Sequence, residues 1–339
     1  MRIAIIGANA PDSMEWHFAD AFQFAGYEAK IFDIYEKFPY TVKRLKHYFQ
    51  VLDKIGRTYS DSYDRKRFLS VANSINEYNP DLVICFYRDI HPAFVDAVKS
   101  KNRRVIHVNP DALTSFGYQQ VIAANYDALF TKDPYILEFM KNKAKLNAFI
   151  YSEAFNQRYN PKPACTKAEM EKEMNVDVMT YGTLYPYRAR MVRALVDEGI
   201  NVKLYGVVPH RFFDKALEKC YTGKYIVGEE KARTIYGAKI MFNNFHFAEI
   251  ESVNCRFFEA NGCGAFQLCD YKPILKDLLP VDPELVSFKT IDEGAEKVRY
   301  YLAHPEERYA IAEKVYQYFL EQYTYDHLIQ YILKIVETL

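Results

Sequence analysis

The sequence predicts an α/β protein with two doubly wound parallel sheets. Three observations carry the prediction. Short β-type apolar runs, each followed by a turn signal and a helix-like stretch, recur along the chain; the rhythm occurs twice; and 339 residues suit two domains of about 150 each. In the first half, strands are expected at 2–8, 28–34, 81–87, 105–109, 128–131 and 148–151. One of these runs is Leu82-Val83-Ile84-Cys85-Phe86, where Cys85 fits as a small buried hydrophobe. The second half repeats the scheme at 177–183, 201–207, 224–227, 239–245, 264–269 and 285–289.

Between the halves, residues 156–175 hold Asn160-Pro161-Lys162-Pro163 and then a Lys/Glu stretch with no apolar stripe. That composition predicts a linker, which divides a domain at 1–155 from one at 176–320. From 291 onward the apolar residues fall at helical spacing: Ala310, Ile311, Val315, Tyr318 and Phe319, then Leu328, Tyr331, Ile332 and Ile335. At least two long helices close the chain, the last of them within 321–339.

Residues 37–67 depart from this rhythm, with nine Lys/Arg against three Asp, a local charge of +6. Val42, Leu45, Phe49, Leu52 and Ile55 run an apolar stripe through the segment. Two readings stand: an amphipathic helix with a solvated basic face, or a surface that meets a polyanionic acceptor or a membrane interface.

Composition narrows the function. Half the residues are apolar and 26% charged, with no apolar run near the roughly 18 residues of a membrane span, which excludes transmembrane and disordered classes. The 44 basic and 44 acidic residues cancel, so no overall field favours nucleic acid, and a nucleic-acid partner is not expected. Six cysteines form no C-x-x-C pair, and the first residues carry no signal-peptide pattern. A reduced, cytoplasmic location is expected.

In open α/β sheets, ligands bind beyond the carboxyl ends of the strands. The first such turn, Gly7-Ala8-Asn9-Ala10-Pro11-Asp12, lacks the second glycine of a dinucleotide fingerprint, although Asp33 stands where a ribose-binding acid would follow. A stronger constellation runs from Phe245 to Gly264. Glu251 and Glu259 stand eight residues apart, around a helix start near Asn254. A helix spacing of 1.5 Å per residue separates them by about 12 Å or less, comparable to the reach from ribose to hexose in a nucleotide sugar. The helix N-terminus between them favours a diphosphate. A solvated helix start is the plainer alternative.

This E-x7-E arrangement, followed by Gly262-Cys263-Gly264 and a strand, resembles the donor-binding signature of GT-B glycosyltransferases. Glu251-Ser252-Val253-Asn254-Cys255-Arg256-Phe257-Phe258-Glu259, with His304-Pro305-Glu306-Glu307-Arg308 and Tyr323-Thr324-Tyr325, more closely resembles the spore-maturation CgeB-like family. The likeness extends to Val108-Asn109-Pro110-Asp111, Phe130-Thr131-Lys132-Asp133-Pro134-Tyr135, Glu153-Ala154-Phe155 and Tyr181-Gly182-Thr183-Leu184-Tyr185-Pro186-Tyr187-Arg188. It therefore covers most of the chain.

The resemblance implies two Rossmann-like domains facing a cleft, with the acceptor domain first, the nucleotide-sugar domain second, and a final helix crossing back to the first. It implies that Glu259 takes the ribose hydroxyls, Glu251 the donor sugar, and Arg188 and Arg256 the diphosphate. Gly182 would admit backbone N–H groups to the donor, and Asn254, between these residues at the helix start, is a further expected donor contact. Glu249 competes with Glu251 for the sugar. Retaining and inverting outcomes both stay open. For an inverting enzyme, the candidate bases are Asp12, His17 and Asp111, while His246 is placed to touch the leaving diphosphate.

The expected activity is transfer of a sugar from a nucleotide-sugar donor to a glycan or protein acceptor, with no bound metal and no cofactor beyond the donor itself. A nucleoside diphosphate is the expected product. The alternatives are a sugar-nucleotide epimerase of the same architecture and a noncatalytic binding or assembly protein.

Overall fold

Runs such as Leu82–Cys85 and Ala128–Thr131, buried at every position, belong inside a parallel sheet covered on both faces. The computed structural model describes residues 1–36, 43–99, 103–113, 121–209, 211 and 213–339. Its chain divides into two units: Met1–Tyr151 with Leu328–Leu339, and Ser152–His327.

Unit 1 runs β1 (Arg2–Ile6), α1 (Met14–Phe24), β2 (Glu28–Phe32), α2 (Lys43–Tyr59), α3 (Asp61–Tyr78), β3 (Leu82–Cys85), α4 (Pro92–Val98), β4 (Arg104–Val108), β5 (Ala128–Thr131), α5 (Pro134–Glu138) and β6 (Ala148–Ile150). Its sheet order is β2-β1-β3-β4-β5-β6, parallel throughout. Ile6, Phe32, Val83 and Val105 meet Phe68, Phe94 and Val98 in its core. Asp33, which the sequence offered as a ribose-binding acid, is a brace instead. It accepts from the backbone N–H of Asn9 (3.1 Å) and Tyr35 (2.8 Å) and from the Tyr87 hydroxyl (2.8 Å).

Unit 2 runs α6 (Lys167–Met174), β7 (Val176–Thr183), α7 (Pro186–Asp197), β8 (Val202–Val207), α8 (Gly228–Gly237), β9 (Ala238–Asn243), α9 (Cys255–Gly262), β10 (Gln267–Asp270), α10 (Leu275–Leu278), α11 (Pro283–Val286), β11 (Ser287–Phe288), α12 (Ile291–Ala303), α13 (Pro305–Gln322) and the start of α14 (Tyr325–Val336). Its order is β11-β10-β9-β7-β8, again parallel. The strand expected at 224–227 does not form. Gly223, at φ +70°, turns the chain, which meets β8 through a bridge from Tyr221 to Leu204 and a 2.7 Å bond from Gly206 N–H to Lys224 O.

The expected linker at 156–175 also differs: the chain passes between units at 151/152 and 327/328. α6 is locked into unit 2 by charge. Glu171 accepts both forks of Arg308 (2.7 and 3.0 Å) and the Tyr309 hydroxyl (2.9 Å), while Lys167 donates to Ala238 O at 2.7 Å. The Lys/Glu composition that read as solvated linker holds these buried partners. Near the second crossing, Arg158 clasps Asp326 with two bonds of 2.8 and 2.9 Å. Past it, Leu328–Leu339 groups with unit 1, where Tyr331 donates to Ile150 O at 2.8 Å. Among the described residues, no helix is long and apolar enough to cross a membrane.

Gly182 and Gly206 face each other in the β7–β8 register, at φ +101° and +109°. A Cβ on Gly206 would stand 2.4 Å from Gly182 O, whereas one on Gly223 would meet nothing within 4 Å. Both sites strain an L-residue, but only Gly206 also blocks a strand. Gly223→Ala is therefore expected to cost about 1–2 kcal/mol, and Gly206→Ala clearly more. Urea unfolding measures both, and equal losses would show that the close strand approach is not limiting.

Candidate active site

β7 ends at Tyr181-Gly182-Thr183, and two guanidinium groups converge on that end. Arg188, in the first turn of α7, donates to Thr183 O and, at 3.3 Å, to Asn244 O. Arg256, in the first turn of α9, donates to Tyr181 O at 2.7 Å and Asn244 O at 3.1 Å. Built on Gly182, a Cβ would lie 3.7 Å from Arg256 Nη1 and 3.8 Å from Arg188 Nη1. The two forks thus flank one glycine.

Both arginines are buried, and neither forms an ion pair among the described residues. Arg188 Nε has no hydrogen-bond partner. Burial, and then the charge of Arg256, pushes the Arg188 pKa down to about 10. Carbonyl dipoles partly compensate these cations, but two like charges out of water still favour an anion. Guanidinium forks suit phosphate oxygens in particular.

One turn further along α9, Glu259 Oε1 stands 2.8 Å from Lys231 Nζ, and Oε2 accepts from the Tyr181 hydroxyl at 2.5 Å. Lys231, on α8, is only 2% exposed. A carboxylate accepts about four hydrogen bonds, so Glu259 retains capacity for a diol after these two. Tyr181 joins the two parts of the site: its carbonyl holds Arg256 and its hydroxyl holds Glu259.

Asn254 serves a different purpose from the donor contact expected of it. Its Oδ1 accepts from Phe257 N–H (3.2 Å) and Asn243 Nδ2 (3.0 Å), and its own amide donates to Asn243 Oδ1 (3.1 Å). Asn243 also donates to Gln267 Oε1 at 2.7 Å. This buried amide ladder caps α9 and fixes it to β9 and β10. Asn254 is thereby a support for Arg256 and Glu259.

His246 follows β9, half-buried, with Nδ1 accepting from Ala248 N–H at 3.1 Å. That bond leaves the other ring nitrogen as the donor when the ring is neutral. Burial and the Arg188 charge lower its pKa, against an opposing pull from Glu249. The ring lies edge-on to Tyr185 and Tyr187, at centroid distances of 5.2 and 5.6 Å. Glu251 is exposed in the loop before α9. Its competitor Glu249 is buried, accepting from the Ser252 hydroxyl.

The remaining candidates lie in unit 1. Asp12, at φ +70°, places Oδ1 3.5 Å from His17 Nε2, and His17 is buried. Asp111 forms an ion pair with Arg88. The structure thus pairs Asp12 with His17 and gives Asp111 a different partner.

Lys231 escaped sequence reading. It is one cation in Gly228-Glu229-Glu230-Lys231, with no spacing to mark it. Tyr181 stood directly before Gly182, and strand alternation could have singled it out.

The chain is similar to known proteins in sequence and in fold. Residues 188–334 match the glycosyl transferase-like family. The spore protein CgeB of Bacillus subtilis is 25% identical over 229 residues, covering 58% of this chain and 71% of that protein. The sucrose-phosphate synthase of Thermosynechococcus elongatus superposes with a TM-score of 0.71 at 12% identity, covering 99% of this chain and 98% of that one. HepE of Anabaena, solved with UDP-glucose, superposes at 0.69 with 11% identity over the full length of both chains. The glycosyl transferase-like match thus takes in unit 2 from the first turn of α7 onward, and the two-sheet architecture that the whole chain shares with these solved structures is the GT-B fold.

Proposed function

We propose that unit 2 holds a nucleotide-sugar donor at the end of β7, and that the buried pair Arg188–Arg256, which forms no ion pair among the described residues, is the diphosphate receptor. Glu259, held by Lys231 and Tyr181, takes the ribose hydroxyls. Glu251, exposed in the loop before α9, is the candidate for the donor sugar hydroxyls, whereas Glu249 is buried against Ser252. Support comes from the family match over residues 188–334 and from the likeness to HepE, which binds UDP-glucose.

In the reaction, an acceptor hydroxyl oxygen attacks the anomeric carbon while the bond to the diphosphate breaks. The electron pair passes to the diphosphate, where the two guanidinium groups stabilise the developing charge. His246, neutral with its outer N–H free to donate, is the group proposed to hydrogen-bond the leaving oxygen. For an inverting course, His17 is the proposed proton acceptor, with the Asp12 carboxylate stabilising the imidazolium that forms. The acceptor is proposed to be a glycan or a protein.

A thermal-shift panel of UDP, GDP, dTDP and CDP tests the donor class: a ligand at about 100 times its Kd adds about 2.7 kcal/mol of stability. One base is expected to stand out; no shift with any of them would remove the donor assignment.

Glu259→Ala should weaken binding of that nucleoside diphosphate by roughly 1.5–3 kcal/mol, with the fold retained. Calorimetry reads the change, and unchanged affinity would take Glu259 out of the site.

Arg188→Met should lower affinity for inorganic pyrophosphate at least about tenfold, the cost of a lost charged contact, without lowering the urea midpoint, because it also relieves like-charge repulsion. A fall in stability with unchanged pyrophosphate affinity would instead make Arg188 a brace for the Thr183 and Asn244 carbonyls.

A further inference from the structure

α2 is packed the wrong way round for an ordinary surface helix. Leu45, Tyr48, Val51, Leu52, Ile55 and Tyr59 fall at helical spacing along one stripe, and all are between 44% and 85% exposed. The inward side is polar. Asp53, buried, accepts from the Tyr63 hydroxyl at 2.8 Å and from Arg67 Nε at 2.9 Å, both on α3. Arg57 binds Asp64 at 2.6 Å and Asp89 at 2.8 Å. Charge therefore fixes the helix to its own unit while the apolar stripe faces water.

Such a stripe costs free energy in water unless something covers it. The charge around it selects the occupant. Of the five Lys/Arg in Lys43–Tyr59, Arg57 is taken up by Asp64 and Asp89; the single acid, Asp53, is buried and held by Arg67, so the charges left on the helix are basic. Lys54 is exposed, as are Arg65 and Lys66 on the following helix, against the exposed acid Asp61 in that helix's first turn, which lies 3.1 Å from His91. A second copy of the same helix would bring like charges together. An anionic bilayer matches both features: headgroups for the cations, and an acyl boundary for the aliphatic and tyrosine side chains.

We propose that α2 lies on an anionic membrane surface, its apolar stripe seated at the headgroup–acyl boundary, so that unit 1 is a peripheral membrane-docking unit. This inference rests on unit 1 alone and is independent of the donor assignment. Residues 37–42 of the basic segment, and the side chains of Lys43, Arg44 and Lys46, lie outside the described residues.

The test is co-sedimentation of the full chain with vesicles of phosphatidylcholine alone or with added phosphatidylglycerol. Binding is expected to the anionic vesicles and to weaken as salt rises from about 0.1 M to about 0.5 M. Leu52→Glu with Ile55→Glu should reduce it at least about tenfold while keeping the wild-type circular dichroism and urea midpoint, because both side chains already face water. Replacing Lys43, Arg44 and Lys46 by Ser should reduce anionic selectivity. No binding to either vesicle, or binding that the glutamate pair leaves unchanged, would overturn the proposal. So would a dimer by light scattering that the glutamate pair dissociates, or capture by heparin with no vesicle binding, which would point to a second copy or to a soluble polyanion.

Discussion

The second unit is organised around two cations buried side by side that form no ion pair among the described residues. Arg188 and Arg256 come from the first turns of different helices, and each is held by carbonyls where β7 and β9 end. Taking two guanidinium ions out of water is costly, and carbonyl dipoles return only part of it. The surroundings therefore keep both forks in place. Asn254 caps α9 and ties it to Asn243 and, through it, to Gln267, while the Gly182–Gly206 approach lets β7 and β8 run to the point where the forks meet.

A second buried charge cluster in the same unit shows what a purely structural solution looks like. Glu171 there is bonded by both forks of Arg308 and by Tyr309, and Arg308 also reaches the Tyr301 and Lys239 carbonyls. A carboxylate stands between the cations there, with Arg308 and Lys167 both meeting Glu171, and α6 is fixed to α13. At the end of β7 the match is split. Glu259 is paired with Lys231 and not with the arginines, which leaves positive charge uncompensated beside a carboxylate with spare acceptor capacity. An anionic diphosphate carrying a ribose diol complements both halves. This division of charge is what the proposed diphosphate receptor rests on.

In unit 1 the polar groups used for stability lie where apolar packing would be expected. α2 is held by Asp53 and Arg57 against partners on and beyond α3, and Asp33 braces the turn after β1. Buried ion pairs of this kind orient a helix more than they stabilise it. Here the consequence of that orientation is the outward apolar stripe.

The sequence by itself determined the elements and the local motif. Eleven of the twelve expected runs overlap the eleven strands of the described residues, and the tenth run in sequence order, at 239–245, led into the segment carrying Arg256 and Glu259. These signals are local: strand burial, helical period and a capped helix start are written within a few residues of each other. The run at 224–227 failed because apolar character alone does not report a glycine turn at a sheet edge. Tertiary structure decided which groups meet. Nothing in the spacing pairs Arg188 with Arg256, brings Lys231 to Glu259, commits Asn254 to an amide ladder or joins Arg308 to the supposed linker. Likewise, the stripe on α2 was legible, but its outward orientation was not. Periodicity fixes which residues share a face, whereas the partner of that face depends on packing between elements far apart in the chain, where the charges on α3 prevailed.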